Sequence, residues 1–209
     1  MLLELYLGGQ GLASICDDVI RPTFEEIGHR WECGDVAVYQ ERGACEITHR
    51  ALGELRLAWS TSDRPAPLAI GGTPSGDEYR LPTAMCELVL LEVGWNAISL
   101  GTNLPFETWH AALEARRPKL LWLSVSHLGS RESFLAEYPP LFEHAQRLGI
   151  PVALGGQALD EPLRRQIRFT TYCETMRQLE AFAASWKASH EGSASTNSPD
   201  RGDEHRLAL

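Results

Sequence analysis

The chain has 209 residues, 44% hydrophobic and 22% charged, with a formal net charge of −9 and a sequence pI of about 5.3. That length and apolar content suit one medium domain or two small ones with a sizeable core. The acidic balance creates no long-range field toward nucleic acid or an anionic membrane, and no apolar run approaches membrane-spanning length.

The start, Met1-Leu2-Leu3-Glu4, lacks the basic flank and cleavage site of a secretory signal. Cys16, Cys33, Cys45, Cys86 and Cys173 are odd in number and form no Cys-x-x-Cys pair, so neither a disulfide framework nor a zinc site is indicated. Reduced thiols and a cytoplasmic location are the expectation. Leu12, Ile15, Val19 and Ile27 keep to one side of a helix that Pro22 bends, and Asp35 is placed to cap a second helix from Val36 to about Trp59. This predicts a partial helical bundle over residues 1–60. Two amphipathic helices are marginal alone, so the module is expected to pack on the following domain or on a second chain.

Turn residues from Ser60 to Pro67 break the helical pattern and predict a linker at 61–66. Beyond it, over residues 67–188, apolar runs alternate with helical periods. Strands are predicted at Pro67–Ile70, Asn96–Leu100, Leu120–Ser126 and Val152–Leu154; they lack strict alternation, as strands buried on both faces do. Helical spacing recurs in Leu81, Ala84, Met85, Leu88 and Val89, in Leu135, Tyr138, Leu141, Phe142 and Ala145, and in Met176, Leu179, Phe182 and Trp186. The fold class is therefore α/β, a doubly wound parallel sheet preceded by a partial helical-bundle cap. Residues 189–209 are too poor in apolar side chains to bury anything and are expected to form a disordered tail.

Ligands of such sheets bind beyond the carboxyl ends of the strands. The sequence places Gly71-Gly72, Asp77 to Tyr79, Gly101-Thr102-Asn103, Ser124 to Ser126 and Gly155-Gly156 at that edge. His127, just past the third strand, is the histidine nearest the mouth; Arg116-Arg117 and Arg164-Arg165 read as helix-end charges, and Asp160 as a cap. A glycine-rich phosphate loop, a nucleophile elbow and a catalytic metal motif are all missing from the sequence.

From about Leu5 to Trp186 the chain resembles the cobalamin (corrinoid)-binding domain family. Its members pair a helical cap with a flavodoxin-like, Rossmann-like domain, as in light-sensing cobalamin-dependent transcriptional repressors and corrinoid methyl carriers. The resemblance rests on pieces that agree in order: Pro22, Ile27-Gly28-x-x-Trp31, Glu41, the Gly-Asp-x-Tyr segment at Gly76 to Tyr79, Gly94-Trp95 leading to Leu100-Gly101, Leu123 to Ser126, and Gly155-Gly156. It implies that Trp31 stacks over the upper face of a corrin and that Glu41 faces the same cavity; Trp31 as a core residue and Glu41 as a solvated one remain the alternatives. Asp77, Glu78, Tyr79 and Gly101 would line the lower face. Ser124, Ser126, Gly155 and Gly156 would stand where the cofactor's nucleotide tail enters, with ordinary turn chemistry as their alternative.

The chain also departs from the family pattern. Tyr79 replaces the cobalt-ligating histidine of Asp-x-His, the proton on whose other ring nitrogen the aspartate accepts. Pro82 replaces the glycine that usually ends the motif, Arg42 follows Glu41 where a histidine is common, and Glu32 follows Trp31 where some light sensors carry one. Tyr79 stands at the ligand position and is the one metal-ligand candidate, although a phenol ordinarily keeps its proton at neutral pH and is a poor cobalt ligand.

The resemblance implies a non-enzymatic sensor or regulatory module holding cobalamin between cap and sheet, with the cofactor's own base or water below cobalt. The alternatives are a haem or other tetrapyrrole sensor using Tyr79, a corrinoid methyl carrier of a methyltransferase, and a degenerate domain kept for protein contacts. Expected partners are the tetrapyrrole and a second copy or regulatory protein. Family repressors carry a DNA-binding domain ahead of the cap; with no basic recognition helix visible, direct DNA binding by this chain is not expected. The first cap helices are expected from a longer N-terminus or from another chain.

Overall fold

The computed structural model describes residues 2–57 and 66–195. Its helical part opens with α1 (Leu2–Leu7) and then runs without a break through α2 (Leu12–Ile15), a π-helical turn (Cys16–Ile20) and α3 (Arg21–Glu32). The π turn lies where the sequence predicts a bend. Pro22 has no N–H to continue the ladder, the Arg21 N–H reaches back to the Cys16 carbonyl, and the Thr23 hydroxyl takes the Val19 carbonyl at 2.6 Å. Gly34, at φ +81°, ends α3.

Helix α4 (Val38–Arg56) starts later than expected, and Asp35 does not cap it. The Asp35 N–H instead closes α3 onto the Arg30 carbonyl, and Gln40 Oε1 accepts the Ala37 N–H at 2.9 Å. The expected helix end at Trp59 and most of the 61–66 linker lie outside the described residues.

The sheet comprises β1 (Leu68–Gly72), β2 (Asn96–Ser99), β3 (Leu120–Ser124), β4 (Val152–Gly155) and β5 (Thr171–Cys173), all parallel in the order β2-β1-β3-β4-β5. Its crossovers are α5 (Arg80–Glu92), α6 (Phe106–Arg116), α7 (Arg131–Arg147) and the short α8 (Glu161–Arg164); α9 (Met176–Ser195) follows. This is the flavodoxin-like order. Two elements exceed the sequence expectation. Thr171-Tyr172-Cys173 is too short and polar to stand out as a strand. In α6 only Phe106, Trp109 and Leu113 are buried among polar neighbours. Helix α9 runs through the break expected at Ser189 to Ser195, and residues 196–209 lie outside the described ones.

The two faces of the sheet bury different cores. Ile70, Leu121, Leu123, Val125 and Leu154 pack under α6 and α7. Ala69, Trp122 and Ala153 pack under α5 and α9, with Leu90 and Leu179. A third core joins the helical part to α5: Leu12, Ile15, Ile20, Leu52 and Leu55 close on Leu81, Met85, Leu88 and Val89. Each such side chain contributes about 1.5–3 kcal/mol by leaving water, so the helices share a core with α5 that they could not build alone.

Polar ties fix the same junction. Asp17 accepts the N–H groups of Met176 and Arg177 at 2.8 and 3.0 Å, which caps α9; Asp18 pairs with the Arg177 guanidinium; and Glu92 accepts the Leu12 N–H at 2.8 Å.

Candidate functional site

Strand β1 lies between β2 and β3, so the chain reverses its winding at β1 and opens a crevice at the carboxyl edge. Three loops meet there, and Asp77 ties two of them together. The residue is fully buried. Its Oδ1 accepts the Tyr79 N–H at 3.0 Å, while Oδ2 accepts those of Ser126 at 2.6 Å and His127 at 3.2 Å. The third loop is held by Asn103, at φ +56°: its Oδ1 accepts the Gly76 N–H at 2.7 Å, and its N–H reaches the Asp77 carbonyl at 2.9 Å. Thr73 adds a hydroxyl bond to that carbonyl, and its N–H donates to the Gly101 carbonyl at 3.1 Å. Burial pushes the Asp77 carboxyl up, and the three backbone donors pull against it.

This bracing explains where β3 ends. The expected strand ran to Ser126, but the carboxylate takes the N–H groups of Ser126 and His127 out of the ladder, and β3 stops at Ser124. Both Asp77 oxygens are engaged by backbone, so in this chain the aspartate organises loops rather than orienting an imidazole. Tyr79 is the N-terminal flank of α5 and its side chain is 51% exposed. Glu78 and His127 are exposed beside it.

On the helical side, Trp31 occupies the last turn of α3 and is 50% exposed, which excludes the reading as a core tryptophan. Val38 and Tyr39 are exposed at the start of α4. Glu41 is partly buried rather than solvated; its Oε1 accepts the Cys45 thiol at 3.4 Å, and burial together with this carboxylate pushes that thiol up to about 11.

The remaining candidates gather at the ends of β3 and β4. Ser124 and Gly155 are register partners, Ser124 being buried and Ser126 partly so. Gly156 has φ +116°, and a Cβ there would fall 2.2 Å from the Val125 carbonyl oxygen; one on Gly155 would fall 2.9 Å from that of Cys173. Both glycines are required by the chain's own close approaches. Sequence reasoning missed Thr73, whose residue type gives no signal outside its loop, and placed Asn103 at this edge without its bracing role. It also missed Trp122, which lies inside an apolar run yet donates its indole N–H to Thr83. Arg117 and Asp160 fall where expected: Arg117 ends α6 at φ +46°, and Asp160 caps α8 by accepting the Leu163 N–H.

Residues 2–56 match the family model described as "B12 binding domain". The chain is 30% identical over 143 residues to the HTH-type transcriptional repressor CarH of Myxococcus xanthus, covering 68% of this chain and 46% of the repressor; it thus spans about half the length of that curated relative. The monomethylamine corrinoid protein of Methanosarcina barkeri superposes with a TM-score of 0.71 at 18% identity, covering 88% of each chain. The methanol:cobalamin methyltransferase complex MtaBC of the same organism gives 0.52 at 16% identity, covering 86% of this chain and 69% of that one. At these identities the two structures bear on the fold alone. Taken with the helices packed on a β2-β1-β3-β4-β5 sheet, these matches identify the chain as a member of the cobalamin-binding domain family with a flavodoxin-like α/β fold.

Proposed function

We propose that this chain is a cobalamin-binding-type sensor module that holds a corrinoid between the helical cap and the carboxyl edge of the sheet, without a protein histidine on cobalt. The observation that carries the reading is Trp31. A large aromatic surface left half exposed at the end of α3, with exposed Val38 and Tyr39 and a partly buried Glu41 on the next helix, is a platform for a flat, mostly apolar ring. The family's histidine-ligated mode does not fit the lower side, where Tyr79 replaces the histidine and backbone N–H groups occupy Asp77. The lower position on cobalt then belongs to the ligand's own base or to water.

The signal travels through the cap. Ligand contact with Trp31 and Glu41 biases how α3 and α4 sit, and the shared core with α5 and the Asp17–Asp18–Arg177 junction carry that change to α9. The resemblance to CarH supports a regulatory rather than a methyl-carrying role, and Leu3, Leu7, Ile47 and Leu57 offer exposed apolar surface for a second copy or a regulatory protein. No helix among the described residues is long and apolar enough to cross a membrane, and we assign the module to the cytoplasm.

A second reading is favoured by the half-exposed Tyr79, whose phenol oxygen is the type of ligand that suits ferric haem. Separate incubation with adenosylcobalamin, hydroxocobalamin and haemin, gel filtration, and an absorption spectrum decide between the two. Co-elution of a corrinoid spectrum is expected. Retention of haemin alone moves the assignment to a haem sensor, and a colourless protein leaves a fold kept for protein contacts.

A further inference from the structure

Toward the carboxyl edge, the sheet face beneath α5 and α9 is floored by small residues except at one position. Its register runs Ser99, Gly71, Trp122, Ala153, and one step nearer the carboxyl edge it pairs Ser124 with Gly155. Trp122 is 1% exposed, and its ring leans over the bare backbone of Gly71: a Cβ there would fall 2.0 Å from Cδ2 and 2.3 Å from Cε2 and Cγ. The far side of the indole is pinned from α5. Its Nε1 donates to Thr83 Oγ1 at 3.2 Å, and that buried hydroxyl lies 3.3 Å from Ser99 Oγ.

A recess floored by glycine, serine and alanine and closed by a buried hydroxyl, which can accept from a ring N–H or donate to a bare ring nitrogen, suits a flat bicyclic heteroaromatic. The chain fills it with its own. We infer that the Trp122 indole occupies the recess into which a corrinoid's nucleotide tail would pass beneath Ser124 and Gly155, so that this chain takes corrinoids without inserting the tail. The inference rests on the corrinoid reading above.

A tail passing Ser124 on this face meets Trp122 directly, since residues two apart on a strand point the same way. To enter, it must expel a buried indole and break the Thr83 bond. Burial of one heteroaromatic ring is then set against exposure of another, and no net gain remains. The accepted ligands are corrinoids that keep the tail's base on cobalt, or corrinoids that lack the nucleotide.

Titrating the wild-type chain with aquocobalamin and with diaquocobinamide, which has the same corrin ring and no nucleotide, tests this. The two dissociation constants should agree within about threefold, and bound cobalamin should keep its base-on spectrum. Cobalamin binding more than about thirtyfold tighter than cobinamide, with a base-off spectrum, would overturn the inference. Failure of both rings to bind would refute the corrinoid reading instead, and the recess is then judged by thermal melting of Trp122→Ala with benzimidazole. Millimolar benzimidazole should raise the midpoint of the variant and leave the wild type unmoved; no response of the variant, or an equal response of the wild type, counts against the recess. Should Trp122→Ala not fold, Trp122→Leu carries the same comparison.

Discussion

Replacing Asp77 with alanine separates a loop-bracing role from that of a partner awaiting an imidazole. The substitution strips acceptors from three part-buried backbone N–H groups, those of Tyr79, Ser126 and His127, which close on a side chain that is itself fully buried. An unsatisfied buried donor costs about 1–3 kcal/mol. Relief from burying a charge and partial admission of water offset some of the sum, leaving a loss of about 3–4 kcal/mol. Asp77→Asn is the sharper arm. Its single carbonyl oxygen can serve Ser126 and His127, but its amide then faces the Tyr79 N–H, donor against donor, for a loss of about 1–2 kcal/mol. Urea denaturation followed by circular dichroism measures both. If alanine and asparagine each fall within about 0.5 kcal/mol of wild type, the range of an ordinary surface substitution, the bracing argument is wrong.

Four further outcomes are expected. Gly156→Ala, which puts a methyl 2.2 Å from the Val125 carbonyl at φ +116°, should cost about 3 kcal/mol or more in the same denaturation assay. Asp17→Ala removes the cap of α9 and should cost about 1–2 kcal/mol, with faster amide exchange in the Cys16–Glu32 run as its local signature. His110, between α6 and α7, has its pKa held down by burial and then by His144 and Arg147; Glu107 opposes this. A histidine lowered on folding contributes stability above its unfolded pKa and loses it as pH falls through the folded one, so the melting midpoint should drop between pH 7 and 5. His110→Phe should flatten that drop. Tyr79→His offers an imidazole below the ring and should change the spectrum of bound cobinamide, whose lower position no nucleotide base occupies; identical spectra in wild type and variant would mean that position 79 does not face the metal.

The fold was legible because its periods are local. Alternating apolar runs and helical spacings announced four of the five strands and the helices with broad buried stripes, and Pro22 announced the bend. Thr171 to Cys173 and the narrow stripe of α6 gave too little periodic signal. The candidate site was legible as residue order only. Nothing local to Trp122 says that it leans over Gly71, since that depends on register between strands about 50 residues apart. Likewise the aspartate at 77 is visible, but its commitment to the N–H groups of residues 126 and 127 is a tertiary fact. Gly155-Gly156 carries a similar ambiguity, because a ligand cradle and a tight backbone crossing ask for the same residue.

The proposed corrinoid lies against the exposed face of Trp31. The most direct measurement is retention of hydroxocobalamin on gel filtration by wild type and by Trp31→Ala, whose half-exposed side chain can be removed with little effect on folding. One equivalent retained by wild type, with binding at least about tenfold weaker in the variant, is the predicted result. Equal retention by the two proteins would place the ligand away from Trp31 and refute this assignment.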